Sequence, residues 1–303
     1  MSGMEQESAI FAAGMLAGQT ALVTGGGTGL GKATAMELAR CGAIVTITGR
    51  TQDVLDAAAE EIRDACGLEE ARKVRTLVGD IREAADARAT IEAVLARDGR
   101  LDVLVNNAGG QFFSPAELIA SKGWRAVWRL NVQGMLNMAE AAHELAFAPG
   151  GDGDDRGSAT GDSGAPRGGR IVNVTLSPHH GMPGMAHSGA ARATVEALTR
   201  ELATRWASDG VTVSVIAVGH FETEVMVKYP ASVRAGMGRS VPLGRTGTPQ
   251  EHAWLVALLA SPLAAAFSGS TVTLDGARDN WFGPWPPPGL TDEEGEVPVE
   301  ERR

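Results

Sequence analysis

Two hydrophobic periodicities alternate along the chain. Short runs rich in apolar and β-branched residues, at 21–23, 44–48, 74–78, 101–105, 171–174, 212–216 and 271–274, predict seven strands. The longer stretches between them, at 32–40, from about 53, and at 83–96, 121–147, 189–206 and 249–260, read as helices. In the second of these, Val54, Ala58, Ile62 and Ala65 are expected on one buried face. Thr248-Pro249-Gln250-Glu251 has the form of a capping box with proline at the first helical position. Strands alternating with helices predict an α/β fold. The expected form is a single doubly wound domain over residues 18–279, a mostly parallel seven-stranded sheet with helices on both faces. Ligands of such sheets sit outside the carboxyl ends of the strands, so Arg50, Asp80, Asn106, Asn107 and Gly109 are expected on one rim.

Several segments break the pattern. Residues 1–17 read as a loose lead-in. Residues 149–169 are rich in Gly, Asp and Ser without apolar periodicity, and are expected to be a disordered insertion. Residues 230–240 read as a mobile lid, with Gly236 and Gly238 giving flexibility. Residues 280–303 form a tail that is first aromatic and then acidic. Trp124, Trp128, Met135 and Met138 are read as core and interface packing.

Composition narrows the classes of partner. The 303 residues are 44% hydrophobic and 21% charged, as in a globular chain large enough for a sizeable core. A net charge of −10 argues against nucleic acid or an anionic membrane as partner. Cys41 and Cys66 sit in helical contexts and read as reduced packing residues. The histidines are not spaced as a metal site, and no metal is expected. No signal peptide pattern and no apolar run of roughly 20 residues is found, so a cytoplasmic location is expected.

The most informative stretch is Thr24-Gly25-Gly26-Gly27-Thr28-Gly29-Leu30-Gly31, a strand end, a glycine turn and a helix start. Such a turn lets the backbone approach a bulky anion, and the helix start offers free N–H groups and a positive dipole end to phosphate. The second strand ends in Gly49-Arg50, where an acid would grip ribose hydroxyls. A guanidinium there binds a 2′-phosphate instead, which predicts NADP(H) over NAD(H), with Lys32 adding to the field.

These features resemble the short-chain dehydrogenase/reductase family over residues 18–276. The resemblance rests on Thr24-Gly-x-x-x-Gly-x-Gly31, Asp80, Asn106-Asn107-Ala108-Gly109, Asn131 within Leu130-Asn131-Val132, Pro242-Leu243-Gly244-Arg245 and Leu274-Asp275-Gly276. It implies a Rossmann domain. The dinucleotide would be held by Gly25, Gly27, Thr28, Gly29, Leu30 and Gly31, and by Arg50, Asp80, Ile81, Asn107, Ala108, Gly109, Gly219 and Thr223 along the rim. A homotetramer or homodimer, built on the helices 121–147 and 189–206, is also implied. Within the family, 110–117, 121–124 and 187–193 resemble the peroxisomal trans-2-enoyl-coenzyme A reductase branch, whose bacterial relatives include citronellol and citronellal dehydrogenases.

One departure bears on mechanism. Family chemistry uses a serine, a tyrosine and a lysine four residues after the tyrosine. Alignment on Ile171-Val172-Asn173 puts the serine place at Leu176, flanked by Thr175 and Ser177. The tyrosine place falls on His187 and the lysine place on Ala191. The single tyrosine is Tyr229, in the lid region. Arg192, one residue beyond the lysine place, is turned about 100° round the helix. The catalytic candidates are therefore Asn131, His187, Thr175 and Ser177. They suit reduction of the C=C bond of an α,β-unsaturated acyl thioester or carbonyl, a small apolar substrate whose enolate needs donors but no phenol. Two alternatives stay open: alcohol/carbonyl redox with His187 as the acid/base, and a catalytically weak NADP-binding protein.

Overall fold

The computed structural model describes residues 7–68, 74–148, 168–177, 179, 181, 184–224, 226, 237–238 and 240–281. Residues 149–167 of the expected insertion 149–169, most of the lid region with Tyr229, His180, and the tail from 282 lie outside the described residues, whereas Gly169, expected in the insertion, is paired in a strand with Val211.

Seven strands form one sheet in the order β3-β2-β1-β4-β5-β6-β7. They are β1 (Thr20–Thr24), β2 (Ile44–Gly49), β3 (Arg75–Val78), β4 (Val103–Asn106), β5 (Gly169–Leu176), β6 (Val211–Val218) and β7 (Thr271–Leu274). Every pairing is parallel. The helices are α1 (Gly29–Arg40), α2 (Gln52–Cys66), α3 (Ala84–Asp98), α4 (Ser121–Trp128), α5 (Gly134–Ala142), α6 (Ala186–Arg205) and α7 (Pro249–Leu259). The order reverses between β1 and β4, which opens a crevice at their carboxyl ends.

Both faces of the sheet are covered. Ala21 and Val23 of β1 face a core with Leu38 of α1, Leu55 and Ile62 of α2, and Val256 of α7. Leu22, between them, faces the other core with Ile91 of α3, Met138 of α5 and Val195 of α6. This alternation, repeated as Val103 and Val105 against Leu104, explains why the strands read as nearly continuous apolar runs.

Some details differ from expectation. The buried stripe of α2 is Leu55, Ala58, Ile62 and Cys66: Ala58 and Ile62 are as expected, while Val54, in the first turn of the helix, lines the rim cleft and is 42% exposed. The helix expected from 189 begins at Ala186, which brings His187 inside its first turn. The stretch 121–147 is helical throughout but widens into π-type turns at Arg129–Gln133 and His143–Phe147. Residues 7–17, expected as a loose lead-in, are docked instead: Leu16 is fully buried and donates its N–H to the Cys41 carbonyl. Met135 and Met138 are buried, but Trp124 and Trp128 are exposed. The Thr248/Glu251 capping box forms, and Cys41 and Cys66 are free and buried. Among the described residues no helix is long and apolar enough to cross a membrane.

Candidate active site

The strand ends surround a cleft of about 770 Å³. Its first wall is the turn between β1 and α1. Gly25 and Gly29 adopt φ of 66° and 53°, the left-handed region that glycine enters without strain. Thr28 is extended at the helix N-cap, and its side chain caps nothing. The Gly29 N–H donates instead to Glu224 Oε1 at 3.1 Å, and Lys32 Nζ lies 3.5 Å from the same carboxylate. A carboxylate seated on the helix start marks the turn as an anion seat, so the residues fit a phosphate-bearing cofactor. Gly31 lies beneath: a Cβ there would stand 2.3 Å from the Gly25 carbonyl and 2.4 Å from Asn107 Nδ2.

The end of β4 is knitted to this turn. Thr24 Oγ1 accepts from the N–H groups of Asn107 and Ala108, both at 3.0 Å, and Asn107 Nδ2 donates to the Thr24 carbonyl at 3.0 Å. On the far side of β1, Asp80 and Arg50 line the cleft at the ends of β3 and β2. Asp80 is gripped by the Arg82 guanidinium, whose hydrogen bond holds the carboxyl below its ordinary range. Arg50 is exposed and its guanidinium makes no hydrogen bond among the described residues. Of the expected cofactor contacts, Gly25, Gly27, Thr28, Gly29, Leu30, Arg50, Asp80, Ile81, Asn107, Ala108, Gly109, Gly219 and Thr223 all line the cleft; Gly31 does not.

The four catalytic candidates are not gathered at one point. Asn131 sits in the π-type turn after α4 and is buried. Its amide donates to the carbonyls of Gly110 and Val127, both at 2.8 Å, and its Oδ1 accepts from the Gly110 N–H at 3.1 Å. It therefore fixes the loop after β4. Thr175 lines the cleft, with its hydroxyl donating to Glu196 Oε1 at 3.3 Å. Ser177 is fully buried and donates to Asp275, tying β5 to the segment after β7. His187 does not line the cleft. Its ring packs 4.3 Å from Phe112 and 6.0 Å from Trp124, both nitrogens lack partners, and burial lowers its pKa, which keeps it neutral.

The residue the spacing undervalued is Arg192. Ala191, taken as the lysine place, is fully buried in the core beneath α6. The next residue, one helical step round, turns its side chain to the cleft instead. A Cβ on Gly109 would lie 2.6 Å from Arg192 Nη2 and 2.8 Å from Asn131 Oδ1, so the two polar heads close over that glycine. Arg192 Nη1 donates to the Val174 carbonyl at 2.8 Å, and Nε has no partner. Among the described residues no carboxylate pairs with it. Burial draws its pKa down to about 10, so it is still a cation at neutral pH. One turn earlier on α6, Ser188 is buried with its hydroxyl unpartnered. Gln111, Phe112 and Phe113, from the loop after β4, also line the cleft.

His179, just past β5, joins Glu196 at 3.0 Å and Asp279. Burial alone would lower its pKa, but the two carboxylates outweigh this and raise it. Among the described residues no cluster of His, Cys, Asp or Glu could hold a metal.

Comparison with known proteins agrees with this geometry. The family model for short chain dehydrogenases matches residues 19–233. A Bacillus subtilis protein described as "Probable 2,4-dienoyl-CoA reductase" is 34% identical over 270 residues, 88% of this chain and 97% of the relative. The peroxisomal 2,4-dienoyl-CoA reductase of Arabidopsis thaliana is 34% identical over 88% of this chain and 86% of its own length. Among solved structures, a citronellol catabolism dehydrogenase of Pseudomonas aeruginosa superposes with a TM-score of 0.73 at 36% identity, covering 89% of this chain and 98% of the other.

Proposed function

The chain belongs to the short-chain dehydrogenase family, a family of oxidoreductases, and from that premise we propose that it is an NADP(H)-dependent reductase of the C=C bond of an α,β-unsaturated acyl thioester or carbonyl. The observation that carries the reading is Arg192: a partly exposed cation with no paired carboxylate among the described residues, facing the cleft beside Gly109, in a chain without the tyrosine–lysine couple. When bound, the dinucleotide supplies hydride. Hydride addition at a β carbon leaves negative charge on the carbonyl oxygen. Fixed donors in a dry wall stabilise such charge far better than water does, because they need no reorganisation. Arg192 offers charge-assisted donors, and Asn131 keeps the loop after β4 in register against them. The dienoyl-CoA reductases among the relatives support an acyl-thioester substrate.

A second reading, alcohol/carbonyl redox with His187 as acid/base, is favoured by the likeness to the citronellol catabolism dehydrogenase. Against it, His187 lies behind Phe112 rather than in the cleft wall. NADPH oxidation measured with a panel of enoyl and dienoyl thioesters, aldehydes and ketones decides between them. Turnover of thioesters is expected. Turnover of aldehydes alone favours the second reading, and tight NADPH binding without turnover favours a binding protein. We place the protein in the cytoplasm as a homodimer or homotetramer, assembled through α4, α5 and α6.

Cofactor choice rests on Arg50, which lines the cleft within electrostatic reach of Asp80 and makes no hydrogen bond among the described residues. A charge-assisted pair with a 2′-phosphate contributes about 1.5–3 kcal/mol. Arg50→Ala should therefore weaken NADPH binding by roughly tenfold or more, while leaving NADH almost unchanged. Equal losses for both, read by fluorescence titration, would remove the basis for NADP(H).

A further inference from the structure

We propose that Glu224 is a built-in competitor for the phosphate seat of the cleft, which a dinucleotide must expel in order to bind. This deepens the dinucleotide reading and rests on it. Glu224 follows β6 and Thr223, on the wall opposite the glycine turn. Its carboxylate crosses to the start of α1, where Oε1 accepts from the Gly29 N–H at 3.1 Å and lies 3.5 Å from Lys32 Nζ. The contact spans 195 residues of sequence, so it is a tertiary bridge and not a local cap. Thr28, which stands at the N-cap, leaves the helix start without a side-chain cap of its own.

The chemistry of that position is that of a phosphate oxygen: an anion on a free helix N–H, at the positive end of the dipole, beside an ammonium. A pyrophosphate and a carboxylate cannot share one donor, and like charges at that separation repel. Binding therefore exchanges one anion for another. Glu224 is half-exposed, at 51%, and can swing into water. The exchange lowers cofactor affinity relative to a chain with no anion there. It also couples occupancy of the seat to the placement of the segment that carries Thr223. Glu61 serves as an internal comparison: it pairs with Lys32 at 2.8 Å from α2, with the same charge, but it makes no bond to the Gly29 N–H.

The test is equilibrium binding, which needs no substrate. NADPH and NADH would be titrated into wild type, Glu224→Gln, Glu224→Ala and Glu61→Gln, with thermal melts to confirm folding. Removing an anion from a helix terminus at an exposed site corresponds to about a two- to fivefold change. Both Glu224 variants should bind both dinucleotides about two- to fivefold more tightly, and Glu61→Gln should shift them less. Unchanged or weaker binding in the Glu224 variants overturns the competitor role, and so does an equal gain in Glu61→Gln, which would assign the effect to charge near Lys32. If wild type and every variant fail to bind any dinucleotide, the cofactor reading falls, and the competitor with it.

Discussion

Arg192→Met is expected to lower kcat/KM for an unsaturated thioester by about 10²–10³-fold while leaving the fold as stable as before or more so. The two halves of this expectation come from one fact. Arg192 is partly buried against the cleft wall, and that burial is the cause of its depressed pKa of about 10. No carboxylate compensates it among the described residues, and its Nε is unpartnered. Drawing a charge partly out of water without pairing it costs a part of the several kcal/mol that full burial would, and a well-packed apolar side chain of similar length removes that cost. The substitution also forfeits the Nη1 bond to the Val174 carbonyl, a cost of about 1–3 kcal/mol if that group stays dry, which offsets the gain from removing the charge. Arg192→Lys should recover part of the rate, because an ammonium keeps the charge but loses the fork. The measurement is kcat and KM separately, alongside urea denaturation. A fall in KM-type binding with kcat intact would place Arg192 in ground-state binding. Loss of stability by several kcal/mol with activity retained would show it to be a structural post.

The fold was legible because each strand and helix announces itself by a local rule. The apolar β-branched runs gave seven strands, and burial on both faces explains why those runs do not alternate. The glycine turn was legible for a related reason. Positive φ at Gly25 and Gly29 and the close approach at Gly31 are demands that one residue type meets, so the sequence shows them directly. What was not legible is rotational phase. On α2, Leu55 and Cys66 rather than Val54 and Ala65 complete the buried stripe with Ala58 and Ile62, and on α6 the spacing put Arg192 about 100° from the lysine place without showing that it lines the cleft. Alignment to an expected tyrosine fixed that phase on His187, whereas the apolar positions alone, Ala191, Val195 and Leu202 inward, turn Arg192 outward to the cleft. Equally invisible were ties between distant segments. Nothing local in Glu224, His179 or Ser177 says that their partners are Gly29, Asp279 and Asp275.

Gly31→Ala is expected to abolish dinucleotide binding and to destabilise the chain, although alanine is the better helix former. In the interior of an exposed helix the exchange would favour the folded state by about 0.8–1.0 kcal/mol. Here the new methyl would stand 2.3 Å from the Gly25 carbonyl oxygen and 2.4 Å from Asn107 Nδ2, closer than non-bonded atoms approach. The oxygen belongs to backbone, so it moves only if the turn moves. Asn107 cannot yield without losing its bond to the Thr24 carbonyl at 3.0 Å, which ties the end of β4 to the turn. Overpacking of this kind costs about 1–3 kcal/mol, enough to outweigh the helix-propensity gain. The displaced atoms are those that shape the anion seat, so NADPH affinity should fall by at least tenfold, beyond what stability alone predicts. Gly189→Ala is the matched comparison. Gly189 lies in α6, is exposed, and would meet nothing within 4 Å of a new Cβ. The same substitution there should raise stability by up to about 1 kcal/mol and leave NADPH binding unchanged. Urea denaturation and fluorescence titration of both variants read the two effects independently. If Gly31→Ala bound NADPH as wild type does, the contact of α1 with the β4 end would not be what shapes the cleft, and the placement of a pyrophosphate there would have to be abandoned.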